Sequence, residues 1–149
     1  LAVKGEGALD RLKTLSWLEK LLWQQRAAEC GSDDLLLTTM EGILLETSKA
    51  NIFWLCDEEL ATPAASLPLF SGAIRRFVID AAHHLRLKVT EGAYALGDIP
   101  SSASLFACNS LLHIHPIQSV GNCSFALDAP LTARLREAVA KRIPKYQCA

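Results

Sequence analysis

The chain has 149 residues, 50% of them hydrophobic, and its 15 Lys plus Arg against 16 Asp plus Glu leave a formal charge of −1. That length and composition suit one domain with one sizeable core, and the near-neutral charge, with no block of like charges, excludes a surface that tracks a phosphate backbone, so no nucleic-acid partner is expected. No apolar run reaches the roughly 18 residues of a membrane helix, and no charged start leads into an apolar stretch and a small-residue cleavage site, so neither a membrane partner nor export is expected.

The chain begins with Leu1, and residues 1–7 carry no helix or strand pattern, so it is expected to start inside a longer natural protein. Over residues 16–30 the apolar Leu18, Leu21, Leu22 and Ala28 recur near helical spacing, and Gly31 stands where a left-handed cap closes a helix. Residues 35–38 and 43–46 read as two short strands around Thr39-Met40-Glu41-Gly42, a hairpin turn; residues 51–56 and 60–62 repeat the pattern around Asp57-Glu58-Glu59. The first half is thus a helix followed by an antiparallel meander. Beyond the loop 63–71, Ile74, Phe77, Val78, Ala81, Ala82 and Leu85 form one apolar stripe, a helix opened by Gly72, with His83 and His84 as one surface and one partly buried residue. Residues 88–90, 104–108 and 114–120 read as extended, with a short helical turn over 98–102. Asp128 before Ala129-Pro130 starts a last helix whose buried face is Leu131, Leu135, Ala138 and Val139. Antiparallel strands with helices grouped beside them make the fold class α+β.

Five cysteines, Cys30, Cys56, Cys108, Cys123 and Cys148, are odd in number and lack CxxC spacing. This argues against a disulfide framework and a zinc site and fits a reducing cytoplasm. His113 and His115 alternate along an extended run and face one side, but no third ligand is placed beside them, so no metal is expected. Neither a GxSxG elbow, a GxGxxG turn nor a P-loop is present. What remains is a lysine before a helix (Lys13), an acid ending a strand before an asparagine (Glu46, Asn51) and a glycine opening a helix (Gly72). Singly these have ordinary readings: a solvated charge, a strand end facing water, a turn.

Together they carry a resemblance. Leu12-Lys13-Thr14-Leu15 leading to Leu18-Glu19, Glu46-Thr47-Ser48 with Asn51-Ile52-Phe53-Trp54, Thr62-Pro63, Gly72-Ala73-Ile74-Arg75, and Cys108-Asn109-Ser110 running to Pro116-Ile117 stand in one order along the chain. In that order they resemble the family containing aminodeoxychorismate lyases, D-amino-acid aminotransferases and branched-chain aminotransferases. The resemblance implies the C-terminal domain of the D-amino-acid aminotransferase-like fold, an antiparallel or mixed sheet forming a pseudo-barrel with flanking helices. It also implies pyridoxal 5'-phosphate as cofactor. Lys13 matches the lysine that holds the cofactor as an internal Schiff base and then shuttles the proton. Glu46 matches the acid that pairs with the pyridine nitrogen. Ala73 and Ile74 match the helix N-terminus that receives the phosphate, Asn109 and Ser110 are the matching side-chain contacts to it, and Asn51 is expected to order the strand beside Glu46.

Two departures stand out. Family lyases often have Asn-Arg where this chain has Ser16-Trp17, and the aminotransferases often have Thr where it has Ile74; the second leans toward lyase. The implied reaction converts aminodeoxychorismate to 4-aminobenzoate and pyruvate, a step of folate biosynthesis. An aminotransferase sharing the same cofactor machinery is the near alternative, and a non-catalytic fragment or interaction module the distant one. In the family much of the substrate pocket is built by an N-terminal domain, which the resemblance leads one to expect outside residues 1–149. Residues 1–149 are therefore expected to be the C-terminal, cofactor-binding domain of a two-domain homodimeric enzyme, with apolar surface left for the other half or a second copy.

Overall fold

A computed structural model describes residues 1–5, 7, 12, 16–127 and 130–143. Among them are ten strands, three α-helices and one 3-10 turn. In chain order these are β1 (Ala2–Val3), α1 (Leu18–Glu29), β2 (Leu36–Thr38), β3 (Leu44–Thr47), β4 (Asn51–Cys56), β5 (Glu59–Pro63), α2 (Ala73–His84), β6 (Lys88–Gly92), the 3-10 turn (Leu96–Asp98), β7 (Ser104–Asn109), β8 (His113–Pro116), β9 (Ser119–Val120), β10 (Cys123–Ser124) and α3 (Pro130–Ala140).

Strands β2 to β5 form the expected antiparallel meander. The β2–β3 turn closes with the Gly42 amide on the Thr39 carbonyl, and Gly42 has φ +82°, a left-handed conformation that costs glycine little. Strand β4 is the axis of the sheet. Along one edge it pairs with β7, from Asn51↔Cys108 to Leu55↔Ser104; its other edge is shared by β3 at Asn51 and β5 at residues 54–56. Two pairings are parallel, β1 with β2 and β5 with β6, and the second is bridged by the α2 crossover that parallel neighbours require. The sheet is therefore mixed and the class α+β, as expected, but the eight-stranded sheet does not close into a barrel.

Alternation along β4 divides the interior. Phe53 and Leu55 face α2 and α3, packing with Ile74, Val78, Phe106, Leu135 and Val139, and the Phe53 and Phe106 rings stack at 5.6 Å. Ile52 and Trp54 face the opposite side, with Leu36, Leu105, Ile99 and Phe125. Arg75 staples α2 to the parallel pair: buried, it donates through Nη2 to the Pro63 carbonyl at 2.9 Å and to Glu91 Oε2 at 2.6 Å.

Several expectations need correction. Residues 1–7 do contain a strand, β1, whose neighbour Lys4 donates its amide to the Thr38 carbonyl. The stripe proposed for α1 lies outside: Leu18, Leu21 and Leu22 are exposed, and the buried residue is Ala27, not Ala28. The run 114–120 breaks into β8 and β9, the helical turn lies at Leu96–Asp98 rather than 98–102, and Glu59 belongs to β5. Both His83 and His84 are exposed. The proposed helix start Asp128 lies outside the described residues, while Leu135 and Val139 are buried on α3 as expected.

Candidate active site

The β4 register brings three side chains abreast. Asn51, first residue of β4, pairs with Glu46 on one edge and Cys108 on the other, and directly paired residues project on the same face. Over that end of the sheet runs the segment 70–72 that leads into α2. Asn51 clamps it at both ends: its Nδ2 donates to the Phe70 carbonyl at 2.6 Å, and its Oδ1 accepts the Gly72 amide at 3.1 Å. The Phe70 amide in turn donates to both oxygens of Glu46, at 3.3 Å each. One carboxylate, one carboxamide and three backbone groups thus lock a strand end to a helix start.

Gly72 is required here for space. Its φ of −70° suits any residue, but a Cβ would stand 2.8 Å from Asn51 Oδ1, an atom already tied into the clamp. The result is a helix whose N-terminus has no side-chain cap, so the first-turn amides of Ala73 and Ile74 keep the unpaired donors and positive dipole end that receive anions. Ala73 is exposed; the Ile74 side chain turns into the core, leaving only its backbone for such a role.

Glu46 is 9% exposed, and burial pushes its carboxyl above the ordinary carboxylate range. Against that act Lys4, through charge and a hydrogen bond, then the Phe70 amide, then the charge of Lys20. Lys4 Nζ donates to Glu46 Oε1 at 3.1 Å with both side chains largely withdrawn from water. Lys4 carries no signal in the sequence, because one lysine beside a two-residue strand makes no pattern; the pairing of β1 with β2 brings it to Glu46. Lys13 lies outside the described residues.

Asn109 and Ser110 sit at the same end of the sheet, beside the β3–β4 turn. Asn109 Nδ2 donates to the Lys49 carbonyl at 3.2 Å, and its Oδ1 accepts the amides of Leu111 and Leu112 at 2.9 and 2.8 Å, so this side chain shapes the β7–β8 turn. Ser110 is exposed in that turn. Cys108, between them and Asn51, is buried, and desolvation pushes its thiol up to about 12, which removes it as a nucleophile at neutral pH. His113 is half-buried and His115 exposed on β8; among the described residues no three His, Cys, Asp or Glu side chains cluster as metal ligands. No helix among the described residues is long and apolar enough to cross a membrane.

A buried carboxylate facing an uncapped helix N-terminus, joined through one asparagine, can hold a group that is cationic or N–H donating at one end and anionic at the other. A pyridinium with a phosphate is such a group, and these residues fit it. The sequence model of the family described as amino-transferase class IV matches residues 3–120. The aminodeoxychorismate lyase of Vibrio harveyi is 29% identical over 106 residues, 69% of this chain and 39% of that protein. A Rickettsia bellii protein named a probable branched-chain-amino-acid aminotransferase is 34% identical over 97 residues, 65% of this chain and 33% of its own length. Among solved structures, a Legionella pneumophila protein provisionally designated a 4-amino-4-deoxychorismate lyase superposes with a TM-score of 0.85 at 26% identity, covering 94% of this chain and 54% of that one. The chain spans about a third to two fifths of these two curated relatives.

Proposed function

This chain belongs to the amino-transferase class IV family, and on that premise we propose that it is the cofactor-binding part of a pyridoxal-phosphate lyase converting 4-amino-4-deoxychorismate to 4-aminobenzoate and pyruvate. The observation that carries the cofactor reading is the clamp of Asn51 on residues 70–72, which sets the Glu46 carboxylate and the N-terminus of α2 into one rigid frame. The likeness to the Vibrio lyase and to the Legionella structure supports the choice of reaction.

In this reading Glu46 accepts the ring N–H and so keeps the ring protonated, while the amides of Ala73 and Ile74 receive the phosphate, with Ser110 and the Asn109 turn at the same end of the sheet. When bound, the cofactor supplies an acceptor for the electrons left on the substrate carbon after proton loss. Lys13 is the amine that tethers the cofactor, takes that proton and returns one to the departing enol as pyruvate forms. Formation of the aromatic ring drives the step forward. The remainder of the substrate pocket comes from an N-terminal domain, the working enzyme is a homodimer, and it acts in the cytoplasm in folate biosynthesis.

Borohydride reduction of the protein with pyridoxal phosphate, followed by peptide mass spectrometry, is expected to place the adduct on Lys13. An adduct confined to other lysines, or none in the protein with its N-terminal domain, overturns the cofactor reading. The second reading, an aminotransferase, is favoured by the 34% identity to the Rickettsia protein. Product analysis separates the two: 4-aminobenzoate with pyruvate in equal amounts supports the lyase, whereas keto acid formed from branched-chain or D-amino acids supports the aminotransferase.

A further inference from the structure

Glu46 sits in an unusual electrostatic position for an acid that must work as an anion. It is buried, and burial favours its neutral form, which would not accept a ring N–H as a carboxylate does. The charged groups acting on it among the described residues are Lys4, beside β1, and more weakly Lys20 on α1. Lys4 is itself 6% exposed, lies 3.1 Å from Oε1, and has the Pro68 carbonyl 3.4 Å from its Nζ, so one ammonium ties β1, β3 and the loop before α2 together. The two carboxylate oxygens are used unequally. Among the described residues, Oε1 takes Lys4 and a share of the Phe70 amide, while Oε2 takes only the other share, at 3.3 Å, and keeps acceptor capacity.

We propose that Lys4 is a positioning residue for the cofactor site: it holds Glu46 as an anion, occupies Oε1, and leaves Oε2 as the oxygen that meets the ring nitrogen. This rests on the cofactor reading above and adds to it a residue that acts on the cofactor only through Glu46. Any ion pair at this distance shifts the titration of its carboxyl. A positioning pair must in addition pass that shift on to the cofactor step, so that activity follows the protonation of Glu46.

The test is the titration of Glu46 in the cofactor-free protein, read from the carboxyl signal of ¹³C-labelled glutamate assigned with Glu46→Gln. Lys4→Met is expected to raise the midpoint by about 1–3 pH units, the range by which a close opposite charge moves a carboxyl, and Lys4→Arg to restore it. With cofactor added, Lys4→Met is expected to lower kcat at least tenfold below pH 7, and to regain part of that loss as the pH rises through the new Glu46 midpoint. Should Lys4→Met fail to fold, the double variant Lys4→Met/Glu46→Gln is expected to fold, since it removes both buried charges. A double variant that still fails shows that Lys4 serves something other than Glu46 and overturns the proposal. An unmoved Glu46 midpoint in Lys4→Met, with the Lys13 adduct still forming, overturns the Lys4 role alone. A shifted midpoint in a protein that forms no adduct leaves an ordinary ion pair, and the role toward a ring nitrogen falls with the function proposed.

Discussion

Helices α1 and α2 are each 12 residues long and neither has a side-chain cap at its N-terminus, yet α2 buries Ile74, Arg75, Val78, Ala81 and Ala82 while α1 buries Ala27 alone. Both carry apolar residues at helical spacing. The difference lies in what meets them. The sheet offers α2 a continuous apolar face from Phe53, Phe106 and Cys108, and the segment leading into it is clamped by Asn51; α1 meets Leu35 and Leu37 through Ala27, with Trp23 partly buried, and leaves Leu18, Leu21 and Leu22 more than half exposed. Spacing defines a stripe, and only a partner surface decides whether the stripe is a core.

Substitutions along the two helices should separate them. The largest effect is expected for Ile74→Ala, which opens a cavity under α2 and should lower the unfolding free energy in urea by about 2–5 kcal/mol. Next comes Asn51→Ala, which removes both clamp bonds and leaves the Phe70 carbonyl without its carboxamide donor. A loss of about 1–3 kcal/mol is expected, together with weaker retention of pyridoxal phosphate on gel filtration. Gly72→Ala should cost about 1–3 kcal/mol through the clash with Asn51 Oδ1, and that cost should largely vanish in the Asn51→Ala background, a coupling that urea titration of all four proteins would read. Leu21→Ala on α1 should stay within about 0.5 kcal/mol of the unaltered protein; a loss as large as that of Ile74→Ala would mean that α1 is covered in solution and would end the contrast. The smallest perturbation is chemical. At pH 8 iodoacetamide should modify Cys30, exposed at the C-terminal end of α1, and leave Cys108 beneath α2 untouched until the protein unfolds, because burial holds that thiol protonated with its pKa near about 12.

The same contrast explains what could be read from the sequence. Elements that show a period, as α2 does with its stripe, or that stand as short runs between turn residues, as the continuously buried strands β2 to β5 do, declare themselves in the sequence. Two-residue strands such as β1, β9 and β10 have no period to show, and the break at residues 117–118 that parts β8 from β9 is marked in the sequence by no more than the Pro116 before it. At the candidate site, Glu46, Asn51 and Gly72 are legible as motif residues, yet their function as one clamp is not, because it depends on Asn51 pairing with Glu46 across the sheet and spanning 21 residues to Gly72. Asn109 is legible as a motif residue too, but the bonds by which its amide shapes the β7–β8 turn are not. Lys4 escapes sequence reading altogether, since its burial arises from a parallel pairing between residues 35 positions apart.

That pairing rests on just two registered pairs, Ala2↔Leu37 and Val3↔Thr38. A strand's side chains alternate between its faces, so a slip of one residue would swing Lys4 to the far side and leave Glu46 without its nearest cation. The charge at the heart of the site is therefore written in backbone register. Amide hydrogen exchange at Lys4, whose N–H is held by Thr38, would time how often the protein lets go of its own counter-ion.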